Sequence, residues 1–220
     1  MTPLDLPSRK NIALAIDGGT HEDYHLIRLY YSWYAGWFYQ NRLRMVAKLM
    51  TGLRVPKLLD IGTGSGIFIK ELLKYADHVT GIDIHKTYHS VEAMLIKENI
   101  DLTRVELRQG SILNIPYPDN IFDIVVGVSV LEHFENPRAP LREIRRVLKP
   151  RGLLVAGFPA RTRLTAALFG ALGYRDTEIH PASHMSILTG IEELFETRGT
   201  CYYPVEIVPM YVACEARKSL

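Results

Sequence analysis

The sequence predicts an α/β fold in which a mostly parallel β-sheet is covered by helices on both faces. Two observations support this prediction: short apolar runs alternate with segments of helical spacing, and a glycine-rich loop follows the first run. The length of 220 residues, of which 47% are hydrophobic and 23% charged, suits one large domain or a domain with an appendage. A C-terminal antiparallel strand pair and an N-terminal helical lid complete the predicted architecture.

Five strands are expected in the central part of the chain. They are apolar enough to be buried on both faces, as parallel strands are, and they span residues 57–61, 78–83, 105–109, 122–128 and 153–158. Helical spacing lies between them at residues 66–75, 88–98 and 140–148. Because strands and helices alternate with short connections, right-handed crossovers and a parallel sheet are predicted.

The C-terminal region departs from this alternation. A helix is expected over residues 186–198, followed by strands over residues 200–208 and 210–217 that meet at Pro209. So short a connection allows only an antiparallel pair.

The first 50 residues are predicted to form a region of their own, ahead of a domain over residues 51–220. Residues 1–20 end in two glycines and are expected to be a loose arm. Residues 21–50 are rich in aromatic side chains and are expected to be helical, with an interruption at Gly36.

The aromatic residues of this predicted lid have three interpretations. On one helix, Tyr30, Trp33 and Trp37 would share a face, and Tyr34 would lie on the adjacent face. They could pack on the core, cover a substrate, or lie at a membrane surface together with Arg28, Arg42 and Arg44. Arg42 or Arg44 could also reach a carboxylate of a bound cofactor.

Composition excludes several classes of protein. Cys201 and Cys214 form no CxxC pair, so neither a disulfide framework nor a zinc site is expected, and a reducing, cytoplasmic compartment is predicted. The formal charge of +2 does not call for nucleic acid or an anionic membrane as a partner. No signal peptide and no transmembrane segment are recognised, because no apolar stretch approaches about 18 residues.

The first strand leads into a loop with three glycines. The segment from Leu58 to Gly66 reads LLDIGTGSG, and its glycines allow a sharp turn and a close approach to a ligand. The helix that follows directs its N–H groups to the same place. The loop therefore predicts a site for a carboxylate or a phosphate at the carboxyl ends of the strands.

The loop differs from a dinucleotide-binding loop at one position. The pattern G-x-G-x-x-G would need its third glycine at Ile67, but the glycine is at Gly66. This favours a ligand with an amino acid end over NAD. Asp83 follows Asp60 by 23 positions, where a carboxylate can bind ribose hydroxyls. A plain tight turn for the loop and a helix N-cap for Asp83 are the structural alternatives.

On these residues the chain resembles class I S-adenosylmethionine-dependent methyltransferases, and in particular the ubiquinone and menaquinone biosynthesis group. The similarity covers roughly residues 55–217, with the motifs in the family's order. The matching segments are Asp60–Gly66, Gly81–Ile84, Gly110–Asp123, Ser129–His133 and Leu141–Gly152. The resemblance implies a Rossmann-like fold.

The resemblance also implies a cofactor, S-adenosyl-L-methionine, with S-adenosyl-L-homocysteine as the product. The glycines would face its methionine part, Asp83 its ribose and Ile84 its adenine. The chain departs from the family at Ser111, where an acid is usual. The residues expected to bind the cofactor are Asp60, Gly62, Thr63, Gly64, Gly66, Asp83, Ile84, Ser111, Ile112 and Ser129.

Methyl transfer from a sulfonium is an in-line displacement, so a base is needed only where the acceptor must lose a proton. His133, just past the fourth strand, is the candidate base, although the pair Glu132–His133 could simply cap a turn. His180 and His184 could line the acceptor pocket together with the lid aromatics, or belong to a plain loop. Pro181 argues against helical histidine spacing, so no metal is expected.

The basic residues near position 145 could suggest nucleic acid. A solvated helix face explains them better, because Leu141, Ile144 and Leu148 supply a buried stripe. The Asn/Asp-Pro-Pro-Tyr/Phe motif of enzymes that methylate nucleic acid bases is absent after the fourth strand. The basic residues are Arg142, Arg145, Arg146, Lys149 and Arg151.

The sequence thus predicts a methyltransferase acting on a small-molecule or lipid-like acceptor, without nucleic acid as a partner. Peripheral membrane contact is compatible with this prediction. The motifs specify neither the methylated atom nor the oligomeric state. The alternatives are an NAD-linked oxidoreductase and a non-catalytic cofactor-binding partner subunit.

Overall fold

The structure is a computed structural model that describes residues 3–16, 27–86, 88–160, 162 and 181–220. The chain divides into two compact units, Met1–Ile112 and Leu113–Leu220. Within the described residues the two units together contain seven β-strands. Each unit is described in turn.

Three parallel strands form the sheet of the first unit. They are β1 (Val55–Ile61), β2 (Ala76–Asp83) and β3 (Val105–Gln109), in the spatial order β3-β2-β1. Leu58 to Ile61 are all buried. Because successive residues of a strand point to opposite faces, an unbroken buried run means that both faces of β1 are covered. This confirms the prediction of a parallel sheet with two covered faces.

Two of the helices of the first unit connect these strands. The helix α4 (Tyr88–Lys97) is close to its predicted bounds and buries Val91, Met94 and Leu95. The helix before it, α3 (Ile69–Leu72), is much shorter than the predicted helix over residues 66–75. The guanidinium of Arg104 donates hydrogen bonds to the carbonyl oxygens of Leu73 and Ala76 at 2.9 Å. The chain therefore enters β2 earlier than predicted.

The N-terminal segment is docked, which corrects the prediction of a loose arm for its described part. It forms a helix, α1 (Arg9–Ile12), and a 3-10 turn (Ala13–Ile16) that contacts α4. Ile12 and Ala15 are buried at 1% and 3% exposure. Glu98 accepts hydrogen bonds from the backbone of Ser8 and the side chains of Asn11 and Lys70.

The predicted lid is helical but interrupted before Gly36, not at it. Residues 27–30 are helical, a turn follows over residues 31–35, and α2 (Gly36–Leu49) begins at the glycine. A Cβ on Gly36 would lie 2.9 Å from the carbonyl oxygen of Tyr30, so only glycine allows the turn to close. Because of this turn, Tyr30, Trp33 and Trp37 do not share one helical face, contrary to the prediction.

The second unit contains four strands in the order β4-β5-β7-β6. The strands β4 (Phe122–Val128) and β5 (Leu148–Pro159) are parallel, and α5 (Arg138–Val147) connects them. The strands β6 (Glu196–Val205) and β7 (Val208–Arg217) are antiparallel, and β7 also pairs antiparallel with β5. The predicted C-terminal antiparallel pair is therefore confirmed.

Two boundaries in this region differ from the prediction. The helix α6 (His184–Leu194) ends before residue 198, because Phe195 takes an extended conformation and is buried at 6% exposure. The hairpin turn lies at residues 206–207 and not at Pro209, which pairs with Pro204 inside β7. Two residues are enough to join antiparallel strands.

Candidate functional site

The loop after β1 turns through three glycines with a left-handed backbone. Gly62, Gly64 and Gly66 have φ angles of 70°, 53° and 69°, which L side chains rarely adopt. The N–H groups of Gly62 and Thr63 donate to the carbonyl oxygen of Ile82 at 2.9 and 3.1 Å. The loop is thus held against the end of β2.

Two of these glycines differ in what surrounds them. A Cβ on Gly66 would lie 2.4 Å from Cγ1 of Val91, so this glycine allows α4 to pack against the loop. A Cβ on Gly64 would have its nearest neighbour, the carbonyl oxygen of Gly62, at 4.0 Å. The space above Gly64 is therefore open to a ligand, whereas the space above Gly66 is filled by the protein itself.

Asp83, at the end of β2, is bonded to this loop. Its Oδ2 accepts a hydrogen bond from the N–H of Gly64 at 2.8 Å, and its Oδ1 accepts one from the N–H of His85 at 2.9 Å. Each carboxylate oxygen can accept about two hydrogen bonds, so both oxygens retain acceptor capacity. The side chain is half-buried. The Asp83 carboxylate is therefore oriented by the loop and can still bind hydroxyl groups.

Asp60 lies beneath the loop with 4% exposure. Burial raises its pKa to about 7, and the nearby negative charge of Asp83 contributes to the rise. The hydroxyl of Thr63 donates to the backbone carbonyl of Asp60 at 3.0 Å, which closes the turn. Asp60 and Asp83 are thus acids of different character: one is deeply buried and the other is accessible.

The residues predicted to contact adenine follow the ends of β2 and β3. Ile84 is 62% exposed and Ile112 is 4% exposed, while Ser111 is half-buried. The amide of Gln109 donates to the carbonyl of Ile84 at 2.9 Å, which joins the two strand ends. The structure therefore brings the glycine loop, Asp83 and the segment after β3 to one edge of the first unit.

Gly81 contributes to this edge in a way that sequence reasoning missed. A Cβ on Gly81 would lie 2.6 Å from the hydroxyl of Thr63 and 2.9 Å from Cδ2 of Leu107. The glycine inside β2 therefore lets the loop approach the strand. A glycine within a predicted strand was the available signal, since it often marks a close approach of another chain segment.

Ser129, at the end of β4, is held by a residue distant in sequence. It has a φ of 55°, and its Oγ lies 3.1 Å from the hydroxyl of Tyr211. Tyr211 is 1% exposed on β7, opposite Pro159 of β5. Sequence reasoning missed Tyr211, because only the pairing of β5 with β7 brings it to this strand end.

The two members of the Glu132–His133 pair have different environments. Both lie in a 3-10 turn (Leu131–His133), where Glu132 is 1% exposed and His133 is exposed. The carbonyl of Glu132 accepts from the N–H of Ala182 at 3.2 Å. Glu132 is therefore part of the packed interior, and His133 presents its imidazole at the surface.

The predicted acceptor residues are separated by the structure. Tyr30 is half-buried with its ring 5.3 Å from that of Tyr39, whereas Trp33, Tyr34 and Trp37 are 95%, 68% and 65% exposed. His184 is half-buried in the first turn of α6. His180 lies outside the described residues, as does most of the segment before it.

The basic residues of α5 make intramolecular contacts. Arg146 binds Glu143 and Asp119 at 2.8 Å, and Arg145 donates to the carbonyl of Leu194 at 3.0 Å. Lys149, at the start of β5, pairs with Asp123 at 2.7 Å. The buried stripe of α5 includes Leu141, Ile144 and Val147, while Leu148 is buried as part of β5.

Two kinds of feature are absent from the described part of the chain. There, no helix combines the length and apolar character needed to cross a membrane. Within the same ranges, no group of three or more His, Cys, Asp or Glu side chains could hold a metal ion.

Comparison with known proteins relates this geometry to one family. Residues 59–156 match the family model described as a methyltransferase domain. A sterol 24-C-methyltransferase of Gibberella zeae is 36% identical over 99 residues, which are 44% of this chain and 26% of the relative. A demethylmenaquinone methyltransferase of Listeria monocytogenes is 36% identical over 110 residues, which are 49% of this chain and 46% of the relative. The chain thus spans less than half the length of either relative.

A solved structure shares the fold over most of the chain. The N-methyltransferase NodS from Bradyrhizobium japonicum, in complex with S-adenosyl-L-homocysteine, matches with a TM-score of 0.64 and 20% identity. The match covers 82% of this chain and 87% of that one. The predicted Rossmann-like architecture is confirmed by this likeness. The match to the methyltransferase domain model shows that residues 59–156 are similar to that family.

Proposed function

We propose that this protein is an S-adenosyl-L-methionine-dependent methyltransferase with a small-molecule or lipid-like acceptor. One observation carries the proposal: the open glycine, Gly64, donates to an acid, Asp83, that retains acceptor capacity. An amino acid end and a ribose can be bound side by side by such a pair. The methyltransferase-domain match over residues 59–156 supports the same cofactor.

The residues of the first unit fit this cofactor. The open space above Gly64 would admit the methionine end of the cofactor beside the Asp83 carboxylate, to which the N–H of Gly64 donates. Asp83 would accept from ribose hydroxyls, and the exposed side chain of Ile84 would cover one face of the adenine. Ser111 would accept from the adenine amino group with a neutral hydroxyl. Thr63 and Ile112 would shape the site beside these residues.

The bound cofactor supplies a methyl group on a positively charged sulfur, so the donor is already activated. The protein aligns the two reactants and excludes water. Where the acceptor loses a proton, the exposed imidazole of His133 would receive it. Ser129 and Tyr211 would orient groups at the end of β4.

The names of the relatives bear on the acceptor class. One relative is named a sterol methyltransferase and the other a demethylmenaquinone methyltransferase. Sterols and menaquinones are both lipids. In our proposal residues 1–50 act as an arm and a lid for a domain over residues 51–220. The lid aromatics Tyr30, Trp33, Tyr34 and Trp37, with His180 and His184, would contact the acceptor.

Calorimetry with S-adenosyl-L-methionine and with NAD tests the cofactor. We expect binding of the first and none of the second, and the reverse result would favour an oxidoreductase. A screen of quinone, sterol and small amine acceptors, read out as release of S-adenosyl-L-homocysteine, then tests turnover. Binding of the cofactor without turnover of any acceptor would instead indicate a non-catalytic partner subunit.

A further inference from the structure

Three aromatic side chains project from the turn before α2 and from its first residues. Trp33 is 95% exposed, Tyr34 is 68% exposed and Trp37 is 65% exposed. We call these three residues the aromatic patch. The ring centroids of Trp33 and Tyr34 lie 5.8 Å apart in an edge-to-face contact, so these two members form one continuous surface. Tryptophan is among the more buried residues on average, and a contiguous exposed apolar patch usually marks an interaction surface.

The segment that carries the patch has only one sign of charge. Residues 27–50 contain no Asp or Glu, while Arg28, Arg42, Arg44 and Lys48 are positive. On α2, Trp37, Arg44 and Lys48 fall on one stripe, because seven and eleven residues are close to whole numbers of turns. Leu43, Val46 and Ala47 are buried on the other side of the helix. Basic side chains therefore continue the surface on which Trp37 lies.

We propose that this surface docks onto an anionic lipid bilayer. Tryptophan and tyrosine settle at the boundary between the head groups and the acyl chains, where their rings are buried and their polar atoms remain hydrated. Arg28, Arg44 and Lys48 would meet the lipid phosphates, since basic residues near a surface are attracted to anionic lipids. The aromatic patch would thus lie at the boundary between head groups and acyl chains, and Arg28, Arg44 and Lys48 would lie at the lipid phosphates.

Two other occupants fit the patch less well. In a symmetric dimer the same patch faces itself, so the basic side chains around it would repel each other. A soluble acceptor beneath a closed lid would not use the charges of Arg44 and Lys48, which lie farther along α2, although Arg44 also donates to the side-chain oxygen of Gln40 at 2.8 Å. An anionic bilayer satisfies the aromatic and the basic residues together.

The inference extends the proposed function, because a lipid-like acceptor would be met at the bilayer, but docking itself requires no turnover. The chain offers a direct probe, since Trp33 and Trp37 are its only two tryptophans. Tryptophan emission, excited where tyrosine does not absorb, therefore reports on the aromatic patch. The full chain would be mixed with phosphatidylcholine vesicles, with and without phosphatidylglycerol, and followed by emission and co-sedimentation.

We expect a blue shift and co-sedimentation with the vesicles that contain phosphatidylglycerol, and much less of both with neutral vesicles or at high salt. The double variant Trp33→Ala/Trp37→Ala should lose co-sedimentation. Arg44→Gln/Lys48→Gln should keep the tryptophans and weaken binding roughly tenfold or more. The control is Ile207→Ser, because Ile207 is 92% exposed in the turn between β6 and β7 and should behave as the unchanged protein.

Several results would overturn the inference. An unchanged spectrum with anionic vesicles, or equal loss of binding in Ile207→Ser, would remove its basis. A spectral shift that grows with protein concentration in the absence of lipid would indicate a second copy on the patch. A shift caused by a soluble acceptor alone would indicate a lid. Calorimetry with S-adenosyl-L-methionine on the same samples separates each of these outcomes from a failure of the proposed function.

Discussion

The N–H of Gly64 donates to the Asp83 carboxylate at 2.8 Å, so the loop after β1 and the acid that ends β2 form one structural unit. Parallel pairing brings them together, because Asp60 lies opposite Gly81 and Ile61 opposite Ile82. A ligand that binds the loop therefore meets an acid that is already oriented. Pre-orientation of this kind reduces the entropy lost on binding.

The accessible acid can be tested by removing its charge. We expect Asp83→Asn to weaken the binding of S-adenosyl-L-methionine by about 10- to 100-fold, because a hydrogen bond to a charged group contributes roughly 1.5–3 kcal/mol. Calorimetry measures the change in Kd. The matched control is Asp101→Asn, an exposed acid that caps a 3-10 turn of the same unit. Equal affinity of the Asp83 variant and the unchanged protein would contradict the ribose assignment.

The two glycines should respond differently to alanine. Gly66→Ala places a methyl group 2.4 Å from Val91 at a φ of 69°, and should cost about 2–4 kcal/mol of unfolding free energy. Gly64→Ala has open space but a left-handed φ of 53°, so it should cost only about 1–2 kcal/mol of unfolding free energy and should also weaken cofactor binding. Thermal unfolding and calorimetry on both variants separate the effects. In the double variant Gly66→Ala/Val91→Ala the clash is removed, so its loss should be smaller than the sum of the two single losses. The Gly66 variant should have the lower Tm because only it adds the clash with Val91, and equal Tm values for the two alanine variants would contradict this distinction.

The buried acid predicts a pH dependence of stability. Burial raises the pKa of Asp60 from its usual 3.8 to about 7, so between these values the folded chain holds a proton that the unfolded chain releases. The contribution of Asp60 to the free energy of unfolding therefore falls as pH rises from 3.8 to about 7. Asn does not titrate, so Asp60→Asn should gain stability relative to the unchanged protein across this window. Denaturant unfolding at several pH values measures the difference, and parallel profiles would argue against a protonated Asp60.

Glu98 has the opposite dependence. Burial by itself would raise the pKa of Glu98, but the hydrogen bonds it accepts lower that pKa from the usual 4.5 to about 2. The stability that Glu98 provides is therefore present above pH 4.5 and is lost as pH falls toward 2. Glu98→Gln should lower the free energy of unfolding at pH 7 by about 1–3 kcal/mol. It should also reduce the further loss of unfolding free energy that the unchanged protein shows in acid.

Denaturant unfolding of Glu98→Gln at pH 7 and in acid measures both effects. Glu92→Gln, on the exposed side of α4, serves as the control, because Glu92 has only a weak contact with His89 at 3.5 Å. If both variants unfolded alike, the N-terminal segment would add little to stability.

The proposed base is tested by its substrate dependence. His133→Gln should lower kcat by about 10²- to 10⁴-fold for an acceptor that must lose a proton, and should leave cofactor affinity unchanged. Acceptors without such a proton should be methylated at the original rate. His89→Gln is a suitable control, because His89 is an exposed histidine of α4. A uniform loss with every acceptor would assign His133 a structural role instead.

The periodicity of the sequence predicted much of the fold for a physical reason. Strands buried on both faces need continuous apolar runs, and such a run is visible at Phe122–Val128 without knowledge of any contact. Helix boundaries were harder to predict, because α3 ends just before Leu73, whose carbonyl oxygen accepts a hydrogen bond from Arg104, a residue distant in sequence. The docked N-terminal segment was missed for the same reason, since its partners Glu71 and Glu98 lie far along the chain.

The sequence alone predicted the glycine loop, the acid that ends β2 and the cofactor class that they favour, because these depend on backbone freedom and charge at short spacing. Tertiary structure decided which glycine faces open space and which faces Val91. It also decided that Tyr211 meets Ser129, and that Trp33 is exposed on a turn and not packed on a helical face. Strand pairing and helix packing decide such contacts, and these bring together residues whose separation in the chain shows no pattern.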